Sequence, residues 1–203
     1  MGETRYTMTG PSDRTFSDQT EEIMQATYRA LREHGYADLT IKRIADEYGK
    51  STAAVHYYYD TKDDLLAAFL DYLLEQFVDS IHDVETTDPE ARLDLLLDEL
   101  LVKLQENPDL SVALLEMRSQ APYKEAFSDR FRQNDEYIRY LLKAVINHGI
   151  DEGVFNDVDA EHVTRSLLTI IDGARTRAVM LDDTAELETA RQTASEYADA
   201  MLR

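Results

Sequence analysis

Residues that break helices are scarce in this chain and placed between segments: 203 residues contain only 4 prolines and 7 glycines. Between them apolar residues recur three and four positions apart, the spacing of one helical face rather than the alternation of a strand. The pattern predicts an all-α fold with no strands, no internal repeat and no low-complexity tract.

The spacing sets nine helical segments. The first opens near Ser17 or Asp18, with Asp18 and Glu21 as a variant capping box, carries Ile23, Ala26, Ala30 and Leu31, and stops at Gly35. Thr40 caps a short second helix with Ile41, Ile44 and Ala45 inward, Gly49 breaks the chain, and STAAVHYYY (51–59) forms the third. Thr61, with Asp64 at N3, caps a fourth helix lined by Leu66, Phe69 or Leu70, Leu73, Phe77 and Ile81. The fifth carries Leu93 through Leu104 and ends before Pro108, and the sixth spans about Leu110 to Ser119. A helix or helix pair follows from Tyr123 and is closed by Gly149 and Gly153. Asp159 opens the eighth and Thr184 the ninth, where Ala190, Ala194 and Ala198 at i, i+4 and i+8 permit close helix approach.

Charge bears on partners. Asp and Glu number 41 against 21 Lys and Arg, a formal net charge of −20, and only 6 of the basic residues are Lys. Such a surface repels nucleic acid in dilute buffer. In molar salt the Debye length falls to about 3 Å, and the penalty of self-repulsion goes with it. An acidic, Lys-poor, Cys-free composition therefore reads as that of a halophile with a salt-rich cytoplasm. The lack of cysteine removes disulfides, thiolate chemistry and Cys-ligated zinc. No apolar run reaches the roughly 18 residues of a membrane span, and MGETRYTMTGPS has no signal-peptide core. A cytoplasmic protein with no membrane partner and a disordered tail over residues 1–16 is expected.

Within this acidic chain, Thr40 to Lys62 stands out. Lys42, Arg43, Lys50 and Lys62 face Asp46, Glu47 and Asp60, a net of +1. Two short helices meet at Gly49, with Ala45 four residues before it and Val55 six after. A small residue at the crossing, a glycine at the turn and a branched apolar residue locking the second helix are what a helix-turn-helix requires. The second helix is then presented to a DNA major groove.

Residues 23–70 resemble the N-terminal module of the tetracycline-repressor (TetR) family of transcription regulators. The resemblance rests on an apolar helix ending in Gly-Tyr, a Thr-capped second helix with Ile-Ala, a short recognition helix, and Thr-Lys opening a long helix. Beyond Leu70 it is one of layout, and implies a helical ligand-binding and dimerisation domain. The family's recognition helix commonly ends in Leu-Tyr-aromatic-His-Phe, which falls on Val55, His56, Tyr57, Tyr58 and Tyr59. At about 100° per residue Val55 and Tyr59 share the inner face, Tyr58 packs at its flank and Tyr57 points to DNA. The resemblance implies that Thr40 and Lys62 hold phosphates. Lys50, Ser51, Thr52 and Ala53 can reach base edges at the front of the helix. The chain departs from the pattern at Lys50, where an apolar residue is common, at Thr52, where Lys is common, and at His56, where Tyr is common. A protonated His56 can donate to phosphate; a surface histidine with no special role is the competing reading.

For a small-molecule effector the candidates are polar residues set among apolar ones: Glu116 and Arg118, Tyr137 and Tyr140, Asp172 and Arg175. Each also reads as part of a solvated face or an intrahelical pair. His148 and His162 lack a metal-ligand spacing, and no metal or other cofactor is expected. No Ser-His-Asp order, phosphate-cradling glycine loop or carboxylate pair points to an enzyme. The eighth and ninth helices carry enough apolar and small surface for a homodimeric four-helix bundle. The sequence thus divides into a tail (1–16), a DNA-binding domain (17–62) and a ligand-binding and dimerisation domain (63–203). It reads as a dimeric, ligand-responsive regulator, a repressor that occupies a pseudo-palindromic operator and is released by an effector. The alternative is a helical interaction or small-molecule-binding module that no longer binds DNA.

Overall fold

The structure, a computed structural model, describes residues 16–82 and 86–203, the side chains of residues 104 and 105 apart. The described residues form nine α-helices and no strand: α1 Asp18–Asp38, α2 Ile41–Tyr48, α3 Thr52–His56, α4 Lys62–His82, α5 Pro89–Leu101, α6 Pro108–Gln120, α7 Glu125–Asp151, α8 Ala160–Leu181 and α9 Ala185–Leu202. Of the expected tail, residues 1–15 lie outside the described residues, while Phe16 packs edge-on against Tyr72 of α4 at 5.7 Å.

Local chemistry sets most helix starts. Ser17 rather than Asp18 caps α1, its hydroxyl accepting from the Thr20 N–H at 3.4 Å. Thr61 and Asp64 form a reciprocal box: the Asp64 N–H donates to Thr61 Oγ1 and the Thr61 N–H to Asp64 Oδ2, both at 3.1 Å. Asp88 and Asp159 cap α5 and α8 from one side, each side chain accepting from two backbone N–H groups of the first turn. Gly35, at φ +69°, interrupts α1 before a last turn to Asp38. The fifth helix ends earlier than expected, at Leu101, and a 3-10 turn over Lys103–Glu106 leads to α6.

Residues 125–151 form one helix rather than a pair, and Gly149 lies inside it. That glycine does not terminate α7. It is a point of close approach, because a Cβ there would fall 2.0 Å from Cδ2 of Phe155. Gly153, at φ +70°, makes the reversal.

Two buried clusters organise the chain. One joins α1, α2, Val55 of α3 and the first half of α4 to Leu110, Ala113 and Met117 of α6 and Phe127 of α7. The core that seats the first three helices thus extends well past residue 62. The other cluster is built from α5, α7, α8 and α9. Ala194 and Ala198 are buried in it, so part of the alanine row of the ninth helix serves packing within the chain.

Candidate DNA interface and ligand pocket

α2 and α3 meet as their residues dictate. Ala45 is buried at the crossing, Gly49 adopts the left-handed conformation at φ +71°, and the Lys50 N–H closes the turn on the Ala45 carbonyl at 3.2 Å. Val55 is fully buried. The side chain of Ser51 accepts from the Ala54 N–H at 3.3 Å and caps α3, leaving Thr52 and Ala53 exposed beside it.

α3 ends at His56, so the three tyrosines occupy its cap and the turn that follows. Tyr57 is 81% exposed and points outward. Tyr59 is half-buried with the first core cluster, and burial pushes its hydroxyl up to about 12. Tyr58 differs from the expectation of a packed flank: it is 38% exposed, its ring edge-on to Tyr57 at 5.0 Å. The backbone still follows the helix here, with Tyr57 in the right-handed helical region and the Tyr59 N–H on the Val55 carbonyl at 3.1 Å, so the difference lies in the Tyr58 ring, which packs on Tyr57 instead of the core. His56 has a local role. Its Nδ1 lies 3.3 Å from the Tyr59 carbonyl, and since a carbonyl only accepts, the ring donates there and closes the turn.

Several cations of this surface already have partners. Arg43 Nη1 donates to the Asp38 carbonyl at 2.7 Å, and the Thr40 hydroxyl accepts from the Arg43 N–H at 3.2 Å as the cap of α2. Lys50 donates to the Tyr48 hydroxyl at 2.9 Å and lies 3.5 Å from Glu22, and the Tyr48 hydrogen bond is the main reason its ammonium is held above the ordinary lysine value. Lys62 donates to the Leu39 carbonyl at 3.1 Å and lies over the Tyr36 ring at 4.9 Å. Burial, and then the nearby Lys124, lower its pKa. Lys42 is exposed and has no partner among the described residues.

A cavity of about 280 Å³ lies between α4, α6, α7 and α8. Leu70, Leu73, Leu74 and Phe77 of α4 form one wall, and Leu115, Ile138, Leu168 and Ile171 others. Of the six candidates from sequence, Arg118, Asp172 and Arg175 line it. Arg118 Nη1 donates to Asp172 at 2.9 Å and its guanidinium stands over the Phe131 ring at 5.8 Å. Arg175 Nε donates to the Leu100 carbonyl at 2.9 Å, and desolvation lowers its guanidinium to about 10.

The other three do not reach the cavity. Glu116 faces the opposite side of α6 and accepts the Tyr36 N–H at 3.3 Å. Tyr137 and Tyr140 lie against each other, ring centroids 6.3 Å apart, and do not line the cavity. Ser111, Asn134 and Thr176 line it and were not singled out by sequence; a polar residue on an apolar helical stripe was their only signal. Among the described residues no cluster of His, Asp and Glu is arranged for a metal, and no helix is long and apolar enough to cross a membrane.

The comparisons with known proteins divide the chain within α4 and the link to α5, whereas the first core reaches across that division to α6 and α7. Residues 23–69 match the family described as bacterial regulatory proteins, tetR family, and residues 89–203 match the BetI-type transcriptional repressor C-terminal family. The chain belongs to the TetR family. It is 95% identical to a TetR transcription regulator of known structure from the halophile Haloarcula marismortui, covering 93% of this chain and 100% of that one at a TM-score of 0.88. The halophilic reading of the charge agrees with that relative. The HTH-type transcriptional regulator BetI 2 of Chromohalobacter salexigens is 25% identical over 90% of this chain and 87% of its own length. A transcriptional regulator from Saccharomonospora viridis, solved in complex with choline, shares the fold at a TM-score of 0.78 and 22% identity, over 92% of this chain and 98% of that one.

Proposed function

We propose that this TetR-family chain is a homodimeric, cytoplasmic repressor that binds a pseudo-palindromic operator and leaves it when a small molecule enters the cavity. The observation that carries this reading is the double use of α4. Its first turns hold the helix-turn-helix, through Lys62 on the Leu39 carbonyl and through Leu65, Leu66 and Phe69 in the core shared with Val55. Its next turns, Leu70 to Phe77, form a cavity wall. A ligand that fills the cavity shifts the helix that aims α3.

In this reading Thr52, Ala53 and Tyr57 face base edges, with Ser51 held in place as the cap. Lys42, Arg43, Lys50 and Thr40 meet phosphates, the two engaged cations exchanging their exposed local partners for phosphate oxygens. Lys62 contributes by anchoring α4 to the end of α1, one residue before the Thr40 cap of α2. The dimer forms on the outer face of α8 and α9. There the hydroxyls of Ser166, Thr169, Thr189 and Thr193 each donate to a carbonyl four residues back, and so can be buried at low cost. Two-fold symmetry then sets half-sites about one helical turn, ~34 Å, or slightly more apart.

A gel shift with the DNA upstream of the chain's own gene, in molar KCl, tests this. Retarded DNA released by a cavity ligand is the expected result. The partnered state of Arg43, Lys50 and Lys62, with the net charge of −20, favours a second reading: a helical module that no longer binds DNA. A folded dimer by light scattering that shifts no DNA at any salt concentration establishes that reading instead.

A further inference from the structure

The cavity is largely apolar and holds a cation whose terminal nitrogens carry no ion pair among the described residues. Arg175 reaches it from α8, and its Nε is fixed on the Leu100 carbonyl in the last turn of α5, where helix carbonyls lack intrahelical partners. Its terminal nitrogens have no hydrogen bond or ion pair among the described residues. Asp172, the carboxylate whose charge acts on Arg175, is engaged by Arg118 at 2.9 Å. The group Arg118–Asp172–Arg175 therefore carries one positive charge in excess beside the side chains of Leu115, Ile138 and Leu168.

We infer that the cavity takes an amphipathic carboxylate, its apolar body against the α4, α6 and α8 leucines and its carboxylate on the terminal nitrogens of Arg175. The chemistry is that of a fork-shaped donor and a planar two-oxygen acceptor, brought together at a partly buried guanidinium. The cost of desolvation that lowers the Arg175 guanidinium to about 10 is offset by the charge of such a counter-ion.

A quaternary ammonium fits less well. It requires several free aromatic faces. The lining offers Phe77 and Phe131, and the second already carries the Arg118 guanidinium. Two further carboxylates line the cavity: Asp182 is exposed at the end of α8, and Asp135 is partly exposed on α7.

This inference rests on the cavity being the effector site, and the test separates the two. Calorimetric titration in molar KCl compares hexanoate, octanoate and decanoate with the alcohols and alkyltrimethylammonium ions of the same chain lengths. At least one carboxylate is expected to bind about tenfold to a hundredfold more tightly than its alcohol and its ammonium counterpart. Arg175→Gln is expected to remove that preference and leave alcohol binding unchanged; should that variant not fold, the wild-type comparison decides alone. An ammonium ion or alcohol binding as tightly as the carboxylate, or no binding in any series, overturns the inference. The same ligands are added to the operator complex. Carboxylate binding without release overturns the effector reading and leaves the ligand class standing. Release by a ligand showing no dependence on Arg175 does the reverse.

Discussion

The backbone N–H of Tyr36, in the last turn of α1, donates to the Glu116 carboxylate of α6 at 3.3 Å. The same tyrosine is framed by two ammonium groups: Lys62 stands over its ring at 4.9 Å, and Lys124 donates to its hydroxyl at 3.2 Å while pairing with Asp63 at 2.8 Å. Helices from both parts of the chain thus converge on one residue. Glu116→Ala removes the acceptor and is expected to cost about 1 kcal/mol of stability. Glu116→Gln, which keeps an acceptor oxygen, is expected to cost less. Chemical denaturation, with hydrogen exchange at the Tyr36 amide, checks both.

Tyr57 and Tyr59 are two residues apart and are expected to fail in different assays. Tyr57→Ala removes a side chain that is 81% exposed, so the melting temperature should hardly move, within about 0.5 kcal/mol in stability. Operator binding should weaken by about 1–3 kcal/mol. Tyr59→Ala empties a half-buried position against the first core and is expected to cost about 2 kcal/mol of stability. Equal loss of stability in the two variants contradicts the facing seen in the structure.

Tyr59 also supplies a pH dependence. Its hydroxyl titrates near 12 in the folded chain and near the ordinary tyrosine value of about 10 when unfolded. Between these values the unfolded chain has lost the proton and the folded chain keeps it, so stability falls as pH rises. The effect is complete above about pH 12 and absent below about pH 9; allowing for partial solvent screening it amounts to about 1–2 kcal/mol. Tyr59→Phe should flatten that part of the profile, as read from denaturant midpoints across the window.

Gly149→Ala tests the contact between the end of α7 and Phe155. A methyl group would meet the ring at 2.0 Å, and both the ring and the helix are buried there. Overpacking of this kind is expected to cost about 1–3 kcal/mol. Restoring room with Gly149→Ala/Phe155→Leu should recover part of the loss, and a double-mutant cycle measures the coupling.

What was legible in the sequence was local. The Thr61–Asp64 box, the Thr40 cap and the Gly49 turn each lie within four residues, where bond geometry alone decides. The cavity was half legible. Arg118 and Asp172 meet across 54 positions, and their sign was only a polar residue on an apolar helix. Glu116 carries the same sign and faces the other way. Helical rotation separates residues 116 and 118 by about 200°, so the two were never able to share one cavity. Asn134 and Ile138, four apart, mark the face of α7 that reaches the cavity and leave Tyr137 off it. Helical rotation gives the direction of the Tyr58 Cβ but not the neighbour its ring chooses, which is Tyr57. A glycine inside a helix looks like a terminator in sequence, and only the fold shows Phe155 lying back over Gly149.

Ser51 is the cap of a helix only five residues long, and such a helix has almost no hydrogen bonds of its own to spare. In the proposed DNA-binding reading, the positions offered to a groove are therefore not equally free to change over evolution. Thr52, Ala53 and Tyr57 can drift to suit a new operator while the fold stands. Any change at Ser51 that loses its oxygen alters recognition and unravels the reading element together, so retuning to new binding sites should pass through its neighbours.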